Sequence, residues 1–105
     1  MDLKKFEIEN KVISALRMVF DPEIPVNIYD LGLIYNLRID DQNNVNVLMT
    51  LTTPNCPVAE DMPGIVKNEI QLIEGIGKVN VELTFEPPWD MDKLTDEAKL
   101  ELGML

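Results

Sequence analysis

The chain has 105 residues, 46% of them hydrophobic and 27% charged, which is the size and mix of one compact globular domain and excludes a disordered or fibrous chain. A formal net charge of −10, from 19 acidic and 9 scattered basic residues, would repel a phosphate backbone and argues against nucleic acid as a partner. With 1 cysteine and no histidine, an internal disulfide, a Cys–His catalytic pair and a self-sufficient zinc site are all excluded.

The first element is a helix. Between Leu3 and Phe20, Ile8, Val12, Ala15, Leu16 and Val19 recur at three-four spacing and form one apolar face. Pro22 ends it, because the residue before a proline is pushed out of the helical region. The segment from Asp21 to Asp30 (DPEIPVNIYD) has two prolines, no period and three carboxylates, so it reads as an ordered loop. Asp21, Glu23 and Asp30 are of the type that bind hard cations, and equally of the type that cap and solvate a loop.

Alternation follows. Leu33, Tyr35, Leu37 and Ile39 fall on one face of a strand, and Asp40 to Asn44 supply turn residues. Val45, Val47, Met49 and Leu51 then alternate with Asn46, Leu48, Thr50 and Thr52, so the two runs predict a hairpin. After Cys56, the stripe Met62, Ile65, Val66, Ile70 and Ile73 predicts a helix closed by Gly75 and Gly77. Pro63 permits two arrangements. Either a helix begins at Pro57 and Pro63 kinks it, or it begins with Asp61 as N-cap and Pro63 in its first turn. Val79, Val81, Leu83 and Phe85 predict a third strand. Glu86 to Lys93 reads as loop, and Leu94 to Leu102 as a short helix with Thr95 as N-cap and Gly103 beyond its end.

Alternation on every strand implies a sheet buried mainly on one face. The order α-β-β-α-β predicts an α+β two-layer sandwich: a small three-stranded mixed sheet, helices on one face, and a short C-terminal helix. One domain over 1–105 is expected. No apolar run reaches the length of a signal peptide or of the roughly 20 residues that span a membrane, so the expected setting is cytoplasmic and away from membranes.

Cys56 lies where the second strand gives way to a helical pattern. A thiol at a helix start can be stabilised as thiolate by the free N–H groups there, although Glu60 and Asp61 oppose it. Catalysis by Cys56 lacks a base, and thioredoxin-type exchange lacks a second thiol. Iron–sulfur clusters take about four cysteine ligands, so one chain cannot hold one in the ordinary way. Cys56 therefore reads as one sulfur ligand completed by another subunit, a partner protein or a small thiol. Thr50, Thr52 and Thr53 offer hydroxyls near it. Trp89, in the stiff segment Pro87-Pro88-Trp89, is either a cap on the core edge or a partner-docking residue.

Three segments taken together carry a resemblance. They are Asp21-Pro22-Glu23-Ile24-Pro25-Val26 leading to Asp30-Leu31-Gly32-Leu33-Ile34-Tyr35; Met49-Thr50-Leu51-Thr52 with Cys56-Pro57; and Pro87-Pro88-Trp89 with Leu102-Gly103. The chain resembles the SufT-like family of iron–sulfur cluster assembly factors, which includes the PaaD-like component of phenylacetyl-CoA oxygenation systems. The absence of further cysteines favours the SufT-like branch.

The resemblance implies the α-β-β-α-β assembly fold and a non-enzymatic, auxiliary role in cluster assembly or client maturation. It makes Cys56 the functional thiol, a metal ligand only when shared or transient, with Asp21, Glu23, Asp30, Thr52, Thr53 and Pro57 in support. The expected partners are iron–sulfur assembly proteins or client apoproteins, with a homodimer allowed. No tightly bound cofactor is expected, only a transient or subunit-shared cluster. Two other readings compete. One is a pure interaction module using the acidic surface and Trp89. The other is a KH-type RNA-binding domain, disfavoured by its missing Gly-x-x-Gly clamp and by the charge.

Overall fold

Strand alternation and helical stripes assemble into the expected α-β-β-α-β order, followed by a short helix. The computed structural model describes residues 3–21, 24–52 and 61–103. Its elements are α1 (Leu3–Leu16), β1 (Ile34–Ile39), β2 (Val45–Met49), α2 (Met62–Gln71), β3 (Val79–Leu83) and α3 (Asp96–Glu101), with a 3-10 turn at Met91–Lys93. The strands form one mixed sheet in the order β1-β2-β3, β2 antiparallel to β1 and parallel to β3. The parallel pair exists because α2 occupies the connection between them.

Val45, Val47 and Met49 of β2 are buried, and they share one core with Val12 and Leu16 of α1 and with Val66 and Ile70 of α2. Each such side chain stabilises the fold by about 1.5–3 kcal/mol relative to leaving it in water. Asn36, Arg38, Asn46 and Asn80 are exposed, as expected of a sheet covered by helices on one side.

Three expectations need correction. The first helix stops at Leu16 and does not reach Phe20. The N–H groups of Met18 and Val19 bond three residues back, to Ala15 and Leu16, which tightens the last turn. Phe20 then pairs with Asn27 in an isolated antiparallel bridge, and Ile28 N–H donates to the Val19 carbonyl at 2.8 Å. Loop pairing thus captures the chain before Pro22 can act on it.

Along β1, Tyr35 does not share the core face with Leu37 and Ile39. Ile34 lies opposite Met49 while Asn36 lies opposite Leu48, so β1 holds one residue more than β2 over that interval. Such a bulge resets the alternation, and Ile34 rather than Tyr35 packs against the core. In α2, Ile65 is exposed, and the buried stripe is Met62, Val66 and Ile70.

Between the two arrangements allowed for Pro63, α2 takes the second. Asp61 stands at the N-cap position, although its side chain makes no capping bond, and Pro63 sits in the first turn where no backbone N–H is needed. Thr95 caps α3 as expected, its hydroxyl accepting from Ala98 N–H at 3.2 Å. Gly32 is forced by geometry: its φ is +79°, and a Cβ there would collide with the Lys93 carbonyl.

Candidate functional site

The site grows from the C-terminal end of β2. Pairing continues past the strand on both sides, since Thr50 N–H donates to the Leu33 carbonyl and Thr84 N–H to the Met49 carbonyl, each at 2.8 Å. This rigid ladder sets the positions of Thr50, Leu51 and Thr52, immediately before the segment 53–60. Alternation sends Leu51 into the core with Met49 and leaves the threonines on the other side.

The loop after α1 brings the acidic partner. Asp21 N–H donates to the Val26 carbonyl at 3.2 Å, closing a tight turn. Its carboxylate is almost wholly buried; Oδ1 accepts from Ile24 N–H at 2.9 Å, and Oδ2 accepts from the Thr52 hydroxyl at 3.2 Å. Residues 31 apart in sequence are thereby joined at the end of the central strand. The carboxylate is held at a fixed angle by two different elements, which a solvated surface aspartate would not be.

Asp30 occupies a different setting. Its Oδ2 accepts from Asn27 Nδ2 at 2.8 Å, its N–H donates to Asn27 Oδ1 at 2.8 Å, and Arg17 Nε lies 3.7 Å from Oδ1. Arg17 also lies over the Tyr29 ring, 5.0 Å from its centroid. Asp30 thus ties the loop to the end of α1, and no hydrogen bond or ion pair among the described residues links it to Asp21 or Thr52.

Trp89 is half-buried and packs against the core, with its indole N–H donating to the Leu31 carbonyl at 2.6 Å. With Thr50, Leu51, Thr52, Phe85 and Pro88 it lines a cavity of about 50 Å³. Thr50 is fully buried, and its Oγ1 has no hydrogen-bond partner among the described residues. Glu23, Thr53, Cys56 and Pro57 lie outside the described residues.

The structure therefore brings Asp21, Thr52, Thr50 and Trp89 to one end of β2. Sequence reasoning missed Arg17 and Asn27, the groups that engage Asp30, and the isolation of the Thr50 hydroxyl. The Asn27-x-x-Asp30 spacing is a local turn signal that would have found one of them. Among the described residues, no group of three or more His, Cys, Asp or Glu side chains is placed to hold a metal ion. At that end of β2 the described residues offer one pinned carboxylate and two hydroxyls.

Residues 9–83 match the sequence pattern of a family described as iron–sulfur cluster assembly protein. The chain belongs to the iron–sulfur cluster assembly family. It is 46% identical over 105 residues to a protein of Porphyromonas gingivalis named Fe-S protein maturation auxiliary factor, covering 100% of each chain. It is 33% identical over 97 residues to the Fe-S protein maturation auxiliary factor YitW of Bacillus subtilis, covering 92% of this chain and 95% of that one. A crystal structure of a domain of unknown function from Bacillus anthracis superposes with a TM-score of 0.84 at 33% identity, covering 94% of each chain. Membership in the SufT-like assembly family and the fold expected from it are both met. Among the described residues, no helix is long and apolar enough to cross a membrane.

Proposed function

We propose that this protein is an auxiliary factor in the assembly of iron–sulfur clusters on client proteins, with Cys56 as a sulfur ligand completed from outside the chain. The observation that carries the reading is the full-length similarity to a named maturation factor in a chain with a single cysteine. A cluster takes about four protein ligands, so one thiol favours contact and transfer over storage. The cluster is cargo, held transiently or between two Cys56 thiols of a homodimer, and no cofactor is resident.

The buried Asp21–Thr52 pair supports this reading, because it stiffens the end of β2 four residues before Cys56. Thr53 and Pro57 flank that thiol in sequence, Glu23 follows Asp21 by two positions, and Asp30 braces the loop carrying Asp21 and Glu23. Trp89 and the acidic surface serve docking of assembly proteins or client apoproteins. The role is non-enzymatic and cytoplasmic, and residues 1–105 act as one unit.

The test is Cys56→Ser. The variant keeps its fold by circular dichroism and thermal melting, and loses most of its ability to restore activity to a cluster-dependent client in cells deprived of the wild-type protein. Full client activity with the Ser variant would remove Cys56 from the mechanism.

A further inference from the structure

The outer edge of β3 is a row of backbone groups turned away from the sheet. Val45 N–H donates to the Lys78 carbonyl and Thr84 N–H to the Met49 carbonyl, each at 2.8 Å, so the even-numbered residues turn their backbone groups toward β2. Val79, Val81 and Leu83 therefore turn theirs outward, and among the described residues no other segment bonds to them. Such a row is a template for a further strand, and chains that avoid pairing blunt it with a bulge or a proline. The other edge of the sheet, β1, carries its bulge at Tyr35. By contrast, β3 keeps unbroken register with β2 from Val79 to Leu83 and holds no proline.

Side chains along this edge select the occupant. Lys78, Asn80 and Glu82 are exposed and alternate with Val79 and Val81, which places the three on the open face of the sheet. Lys78 Nζ and the Glu82 carboxylate have no ion-pair partner among the described residues. A two-fold axis at Asn80 would bring in a second copy antiparallel. Val79 would then face the second copy's Val81 as a hydrogen-bonded pair, and Lys78 would face the second copy's Glu82, with symmetry repeating each contact. Moving the axis to Glu82 sets two carboxylates face to face, and moving it to Val81 sets Lys78 against Thr84 and leaves both charges unanswered. Two chains of net charge −10 repel at long range, which favours the register that sets base against acid without a like-charge pair.

We propose that the edge of β3 pairs antiparallel with the β3 of a second copy about Asn80, with reciprocal Lys78–Glu82 ion pairs setting the register. Two three-stranded sheets then run on as one. The paired stretch is short, so the dimer is weak and its population rises with concentration. Neither Cys56 nor a cluster takes part, so this pairing stands or falls separately from the maturation reading.

Sedimentation velocity of the whole chain over about a hundredfold range of concentration reads the association, and wild type should pass from monomer toward dimer. Lys78→Glu and Glu82→Lys each set like charges opposite one another and should weaken association at least about tenfold. An equal mixture of those two variants restores both ion pairs between unlike chains and should associate within about threefold of wild type, which a pair inside one chain could not produce. Val81→Pro removes an outward N–H, leaves the ladder to β2 intact, and should give a folded monomer. Should that variant fail to fold, Asn80→Cys in the Cys56→Ser background gives a second measurement. The Cα atoms of such a facing pair lie about 4.5 Å apart, within disulfide range, so oxidised glutathione should link two chains through position 80. Asn46→Cys, equally exposed but on the central strand, should stay unlinked. The proposal is overturned by a wild type that stays monomeric throughout, charge variants or Val81→Pro that associate like wild type, a mixture no better than its components, or equal linkage through positions 46 and 80.

Discussion

The two ends of β2 solve the same problem in opposite ways. At the start of the strand, Asp40 accepts from the backbone N–H groups of Gln42 at 2.8 Å and Asn44 at 2.9 Å, and from Asn44 Nδ2 at 3.0 Å. Asn44 Oδ1 accepts from Lys78 N–H at 2.8 Å, and Asn43 Nδ2 donates to the Gly75 carbonyl at 3.1 Å. This end is a closed polar knot built from neighbours in sequence and one adjoining loop. At the other end, Asp21 meets Thr52 and Trp89 meets Leu31 across long separations, and Thr50 is left without a hydrogen-bond partner among the described residues. One end satisfies its groups for the sake of the fold. The other leaves one buried hydroxyl without a partner among the described residues.

Substitutions at each end turn that difference into measurements. The largest effect is expected at Gly32→Ala beside the candidate site. A left-handed backbone costs an alanine about 1–2 kcal/mol, and collision with the Lys93 carbonyl adds to it, so urea unfolding should show a loss of about 3 kcal/mol. At the knot, Asn44→Ala removes the side-chain bonds to Asp40 and Lys78 and should cost about 1–2 kcal/mol by the same measurement.

Thr50→Val should behave in the opposite sense from Asn44→Ala. Replacing an unpartnered buried hydroxyl with a methyl group of similar shape is expected to leave stability unchanged or raise it by up to about 1 kcal/mol. A thermal melt that falls as far as the Asn44→Ala melt would erase the contrast between the two ends.

The smallest effect concerns pH. The Asn44 backbone N–H and side-chain amide hold the Asp40 carboxyl below its ordinary value of 3.8. A depressed folded-state pKa stabilises the fold fully above 3.8, and that contribution is lost as pH falls through the lower folded value. Urea midpoints followed from about pH 5 down to about pH 2 should therefore decline less in Asp40→Asn than in wild type.

The turn within the knot was legible in sequence because Asp40-Asp41-Gln42-Asn43-Asn44 is a run of turn residues and the Asp40 bonds close within a few positions, whereas the bonds to Gly75 and Lys78 were not. The helix stripes, the alternation of β2 and β3 and the Thr95 cap were legible for the same reason: each is a local pattern with a fixed period. The resemblance added which residues to watch, Cys56 and Asp21 among them, without placing any of them in space.

Only the tertiary structure decided the rest. The extra residue at Tyr35 is invisible to periodicity, because a bulge changes the count between two strands and not the character of either one. The end of α1 depended on a bridge to Asn27, and the settings of Asp21 and Asp30 on partners supplied by other elements. Sequence by itself determined the elements, their order and the presence of one unpaired sulfur, since these follow from residue type and short-range spacing. Which carboxylate meets the end of β2, and which hydroxyl shares a cavity with Trp89, follows from how the chain returns on itself after dozens of residues. No local period encodes that return.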